Sequence, residues 1–221
     1  MIFDIITLFP EIYKTYLKQS LIGKAQKKKI VKINVLDLRD FTSDKHKTID
    51  DKPFGGGRGM VLKVEPIYKA VKSLKKKGKK TKVVLFTPRG KKFNQRMATR
   101  FSKLDKLILI SGRYEGVDER IAKHLVDEEI SIGDYVLMGG DLPALVLIET
   151  ISRLIPKVIG KPELLKERIT KDKGFIEYPQ YTRPEIFSPN KKVFWKIPKI
   201  LLSGNHKKIE DWRKKHSKII E

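Results

Sequence analysis

Residues 110–120 read I-S-G-R-Y-E-G-V-D-E-R, and residues 130–144 read I-S-I-G-D-Y-V-L-M-G-G-D-L-P-A. Two strand-like apolar runs, 106–111 and 130–137, each end in glycines, and the second glycine pair leads through Asp141 into a helical pattern near Pro143. This layout predicts a ligand cleft. Glycine lets backbone amides and carbonyls approach a ligand with no Cβ in the way, and open α/β sheets bind ligands at the carboxyl ends of their strands. A dinucleotide fingerprint is excluded: neither 112–116 nor Gly139-Gly140 gives G-x-G-x-x-G, and no G-x-x-x-x-G-K-[ST] phosphate loop occurs.

Outward from these segments, strand-type runs at 2–8, 31–36 and 83–87 join the two already named. They alternate with helical patterns at 11–28, 65–77, 94–104, 118–125 and 144–155. Such alternation predicts an α/β layer fold with a mostly parallel sheet. Near 159–162 the character changes, which places a domain boundary there and predicts an N-terminal domain over 1–160. Residues 161–174 are charged and poor in apolar side chains, a flexible linker expected to lack order before a partner binds. Prolines and basic residues dominate 175–221, which closes with a helix over about 205–220 whose face carries Ile209, Trp212, Ile219 and Ile220.

Composition bounds the function. The chain has 221 residues, 40% of them hydrophobic, enough for one large or two modest domains. No run is long and apolar enough to span a membrane, and the start M-I-F-D-I-I-T-L-F lacks the basic region of a signal peptide, so a cytoplasmic protein is expected. With no cysteine, and with His46, His124, His206 and His216 showing no ligand spacing, no structural metal is expected. Lysine and arginine number 49 against 26 acidic residues, a net charge of +23 that points to a polyanion, nucleic acid above all. The densest clusters are 72–82 and 191–218, the second interleaved with Phe194, Trp195 and Trp212.

The two glycine segments resemble the bacterial tRNA (guanine-N1)-methyltransferase family, of the SPOUT superfamily. The likeness extends, in family order, to Arg39-Asp40-Phe41-Thr42, Asp50-Asp51-Lys52-Pro53-Phe54-Gly55-Gly56-Gly57, Ser152-Arg153, Tyr178-Pro179-Gln180-Tyr181-Thr182-Arg183-Pro184 and Leu202-Ser203-Gly204-Asn205-His206. The resemblance implies a knotted SPOUT-type N-terminal domain that holds S-adenosylmethionine and a small, mainly helical C-terminal tRNA-binding domain. It also implies a homodimer with active sites between subunits, action on guanosine 37 in the tRNA anticodon arm, and assistance by Mg2+.

Methylating guanine N1 requires removal of its proton as the nitrogen attacks, and a cation or donors near O6, where charge collects. The resemblance assigns Arg153 as the catalytic arginine. It assigns Glu115 to the target base, where a carboxylate can accept from guanine N1–H and N2–H2 together. Donor contacts are assigned to Phe86, Thr87, Pro88 and Gly90, then to Gly112, Tyr114 and Gly116, then to Ile132, Gly133, Tyr135, Leu137, Gly139, Gly140 and Pro143. Asp50, Arg183, Ser203 and His206, in the other matched segments, are assigned to the RNA.

The chain departs from the family at Met138 and Asp141, where serine and glutamate are common, and at Arg58, where proline is usual. A larger departure is the missing Asp-Ser-Phe segment that supplies the general base. Register places that position at Arg168 or Ile169, and the neighbouring Glu167 and Asp172 are the replacement candidates, Glu167 favoured. The chain ends at Glu221 where the family usually continues, so the C-terminal domain is shorter than usual. Two other readings stay open: another SPOUT RNA methyltransferase, and a catalytically idle tRNA-binding homologue.

Overall fold

The computed structural model describes residues 1–75, 78–160, 168–170, 174–190 and 192–220. The chain divides into two compact units, Met1–Glu163 and Leu164–Glu221.

The first unit is built on a five-stranded parallel sheet. Its strands are β1 (Ile2–Thr7), β2 (Lys32–Asp37), β5 (Thr81–Lys92), β6 (Lys106–Ile110) and β7 (Glu128–Ser131), in the order β2-β1-β6-β5-β7. Central β6, K-L-I-L-I, is buried at every position, as a strand covered on both faces requires. Alternation then splits its side chains. Leu107 and Leu109 join a core with Phe3, Ile5 and residues of α1 (Glu11–Tyr16), α2 (Ser20–Lys27), α4 (Gln95–Phe101) and α6 (Asp141–Ser152). Ile108 and Ile110 join a second core with Ile6 and residues of α3 (Val64–Leu74) and α5 (Glu119–His124). Inside the sheet Lys106 Nζ lies 2.5 Å from Asp4 Oδ2, so the buried lysine and aspartate neutralise each other. A short antiparallel pair, β3 (Asp50–Asp51) and β4 (Val61–Leu62), flanks the sheet.

Three elements differ from the sequence pattern. The run 11–28 forms two helices rather than one. Gly23 approaches the end of α1 so closely that a Cβ there would lie 2.2 Å from the Lys18 carbonyl oxygen, which a continuous helix would not bring about. The apolar run 130–137 is strand only to Ser131, and residues 132–138 form a loop. The C-terminal helix stops at Lys215, and residues 218–220 are strand.

Among the described residues the second unit holds two antiparallel pairs. One is β9 (Ile186–Asn190) with β10 (Val193–Lys196), the other β8 (Phe175–Glu177) with β11 (Lys218–Ile220). Its described residues hold a single α-helix, α7 (His206–Lys215), and are not mainly helical. Arg168–Thr170 also turn back on the chain: Ile176 N–H donates to the Arg168 carbonyl at 2.7 Å, and Thr170 N–H to the Gly174 carbonyl at 3.0 Å. Arg168 lies against Glu177 and over the Tyr178 ring. No described helix is long and apolar enough to cross a membrane.

Candidate active site

Three loops, one bulging from within β5 and two leaving the carboxyl ends of β6 and β7, enclose a cleft of about 400 Å³. The first arises inside β5. Phe86 and Lys91 both pair with Ile130, so residues 87–90 bulge out of the sheet. Gly90 permits this, because a Cβ on it would lie 2.5 Å from the Ile130 nitrogen. The second loop follows β6 and turns through Tyr114 (φ +57°) and Gly116 (φ +109°). The third, 132–140, reaches back to the second through Gly140 N–H, which donates to the Gly112 carbonyl at 2.9 Å. A Cβ on Gly140 would lie 2.8 Å from Ser111 Cα, so only glycine fits where these two segments cross.

Most of the donor positions expected from sequence meet in this cleft. Phe86, Thr87, Pro88, Gly112, Tyr114, Gly116, Ile132, Tyr135, Leu137, Gly139, Gly140 and Pro143 line it, with Glu115 beside them. Gly90 and Gly133 do not. Gly133 makes room for the Tyr135 ring, whose nearest carbon would be 2.2 Å from a Cβ, while Tyr135 donates to the Ile132 carbonyl. The outer wall is apolar and bare: Val136 is 80% and Met138 89% exposed.

Glu115 is held from the other side by the glycine-rich segment. Its N–H donates to the Met60 carbonyl at 3.1 Å, and Leu62 N–H donates to the Gly116 carbonyl at 3.0 Å. Gly59 (φ +91°) leaves space for the Glu115 side chain, whose Oε1 would be 2.6 Å from a Cβ there. Arg89, also in the lining, donates to Glu119 at 2.6 Å and Glu129 at 2.9 Å; these bonds raise its pKa further.

Other expected residues lie elsewhere. Asp50 is half-buried in β3, paired with Leu62. Arg153 is exposed at the carboxyl end of α6 and is not part of the lining. Arg183, Ser203 and His206 belong to the second unit, where Ser203 Oγ donates to the Ile200 carbonyl and His206 opens α7 behind Asn205, whose side chain caps Lys208 N–H. Glu167 and Asp172 lie outside the described residues.

A polar network beneath the cleft escaped the sequence reading. Asp141 is 2% exposed, yet its Oδ1 accepts from Thr7 Oγ1 at 2.6 Å and from the Tyr13 hydroxyl at 2.9 Å. Its Oδ2 accepts from Arg113 Nε at 2.9 Å and Nη2 at 2.6 Å. Burial, and then the Asp141 charge, push the Tyr13 hydroxyl far above its usual range, so it stays a proton donor. The available signal was a lone acid opening an apolar helix directly after Gly139-Gly140.

The family model described as tRNA (Guanine-1)-methyltransferase TrmD matches residues 1–219. A tRNA (guanine-N(1)-)-methyltransferase of Dictyoglomus turgidum is 52% identical, over 97% of this chain and 84% of its own length. Enzymes with the same name from Ruminiclostridium cellulolyticum and Mycoplasmopsis synoviae are each 48% identical, over 98% and 96% of this chain and 91% and 89% of theirs. The match runs through both units and includes all three loops of the cleft, and the chain belongs to the tRNA (guanine-1)-methyltransferase family.

Proposed function

We propose that this chain transfers a methyl group from S-adenosylmethionine to N1 of guanosine 37 in tRNA, with the donor held in the three-loop cleft. The observation that carries this reading is the cleft itself. Its volume of about 400 Å³ is in the usual range for small-molecule sites, about 300–1,000 Å³. Phe86, Ile130, Ile132 and Leu137 offer apolar walls to a purine, and Gly112, Gly139 and Gly140 bring backbone groups to its edge. When bound, the donor supplies an electrophilic methyl on a sulfonium.

The protein's own part is to orient the guanine and manage its proton. Glu115, fixed by the Met60 carbonyl at the mouth of the cleft, accepts from the guanine Watson–Crick edge. Arg153 stabilises charge on O6, and its place outside this chain's cleft suits a site completed by a second copy. Glu167 takes the N1 proton, with Asp172 as the other candidate. Among the described residues no three His, Asp or Glu side chains converge on a metal site.

The proposed organisation is a cytoplasmic homodimer. A SPOUT-type knotted domain over 1–160 is joined through 161–174 to a tRNA-binding domain over 175–221. Support for the dimer comes from exposed apolar side chains on α6 and around α1, among them Ile12, Leu142 and Val146. Support for the knot comes from the tight passage of Gly139-Gly140 against Ser111-Gly112. Support for RNA binding comes from the net charge of +23 and, in the second unit, from exposed Phe187, Phe194 and Trp195.

The test is transfer of labelled methyl from S-adenosylmethionine to unmodified tRNA, mapping the methylated base in wild type, Glu167→Gln and Asp172→Asn. Methylation at N1 of guanosine 37, lost in one variant that still binds donor, is expected. Binding of donor and tRNA without transfer, or methylation elsewhere, would overturn the reading.

A further inference from the structure

The geometry points to Arg113 and Asp141 as a positioning pair that sets the spacing between the second and third loops of the cleft. The inference rests on that cleft being the donor site.

The two residues stand at matching places. Arg113 follows Gly112 in the second loop, and Asp141 follows Gly139-Gly140 at the end of the third. Two N–H bonds, from Arg113 Nε at 2.9 Å and Nη2 at 2.6 Å, converge on the single oxygen Asp141 Oδ2. Two donors of one planar group gripping a single charged oxygen restrict the guanidinium more than one bond or an apolar contact does. The carboxylate cannot swing, because Oδ1 is taken by Thr7 at the end of β1 and Tyr13 on α1. The guanidinium cannot swing either, packed 4.7 Å from the centre of the Phe9 ring.

Both ends of the pair are thus anchored to the scaffold, and the loops hang from it. Arg113 side-chain atoms occupy the space beside Gly139, where a Cβ would lie 2.4 Å from Arg113 Cδ. The backbone bond from Gly140 N–H to the Gly112 carbonyl lies next to the pair. Apolar packing could fill this space with comparable stability, since a buried ion pair recovers little net energy after desolvation. What the pair adds is a fixed separation between the two walls and a fixed exit for Tyr114 and Glu115. The predicted signature therefore falls on donor binding rather than on the fold.

The experiment compares wild type with Arg113→Lys, Asp141→Asn and Val71→Ala. The last removes core volume in the cluster on the α3 and α5 face of the sheet, at a residue that does not line the cleft. Isothermal calorimetry with S-adenosylmethionine and S-adenosylhomocysteine, steady-state kinetics and thermal unfolding are read for each. Expected are rises of about tenfold to a hundredfold in donor Kd and KM for Arg113→Lys and Asp141→Asn, with kcat changed less than about threefold. Val71→Ala should lower Tm and leave donor Kd unchanged. Donor Kd within about twofold of wild type in folded Arg113→Lys would overturn the inference, as would an equal loss in Val71→Ala at equal Tm. Should Asp141→Asn fail to fold, Arg113→Lys decides alone. If S-adenosylhomocysteine leaves amide exchange of residues 132–140 unprotected in wild type, the donor-cleft reading itself fails and takes this inference with it.

Discussion

Glu115 reaches the mouth of the cleft because Gly59 has no side chain to displace it and because the Met60 carbonyl holds its amide. Under the proposed role, Glu115→Gln keeps the shape but loses the charge that would accept two guanine N–H groups. Methyl transfer should fall by about a hundredfold while donor affinity holds, measured by single-turnover transfer and calorimetry. Tyr16 makes a different prediction. Its hydroxyl donates to Glu149 Oε2 at 2.6 Å, and that bond, then burial and the carboxylate charge, push its pKa from 10.0 to about 12. The folded state favours the protonated phenol, so the contribution is complete below pH 10 and is lost as pH rises toward 12. Urea unfolding between pH 9 and 12 should show a smaller loss in Tyr16→Phe than in wild type, the buried Tyr13 contributing equally to both. Most cleft residues were legible in the sequence because glycines at strand ends and the family's words mark them. Asp141 was not, since its partners Thr7, Tyr13 and Arg113 come from three separate segments that only the fold brings together.

At the scale of elements, the crossing of the second and third loops leaves no room for a side chain. Gly140→Ala places a Cβ 2.8 Å from Ser111 Cα, backbone that cannot move aside. A loss of about 1–3 kcal/mol is expected, measured by denaturant unfolding, with donor binding weakened as well. Local pattern identified the parallel strands well, because a buried strand such as β6 is apolar at nearly every position. It overextended β7, since I-S-I-G-D-Y-V-L alternates like a strand while the Tyr135 ring folds back over Gly133. It also ran the last helix through Ile219 and Ile220, whose apolar character serves pairing with Ile176 and Phe175 instead. The loop at 87–90 was marked by Pro88 and Gly90, but the return of the chain to the same strand at Lys91 was not, since Phe86 and Lys91 share one partner that only the fold supplies.

At the scale of the whole molecule, a net charge of +23 predicts affinity for tRNA dominated by counterion release. Raising salt from about 50 to 200 mM should weaken tRNA binding by about a thousandfold or more while leaving donor binding nearly unchanged, which filter binding and calorimetry can separate. The alternation of strands and helices announced the fold class, but not the strand order β2-β1-β6-β5-β7. That order has a consequence during synthesis. β1 pairs on one side with β2, which emerges soon after it, and on the other with β6, which begins only at Lys106. At about 5–20 residues per second a nascent chain carries one open edge of β1 for several seconds, with Phe3 and Ile5 still uncovered. The ribosome therefore releases the first half of this sheet as a sticky, unfinished surface, and a messenger cut short before β6 would yield a product bound for chaperones or aggregates.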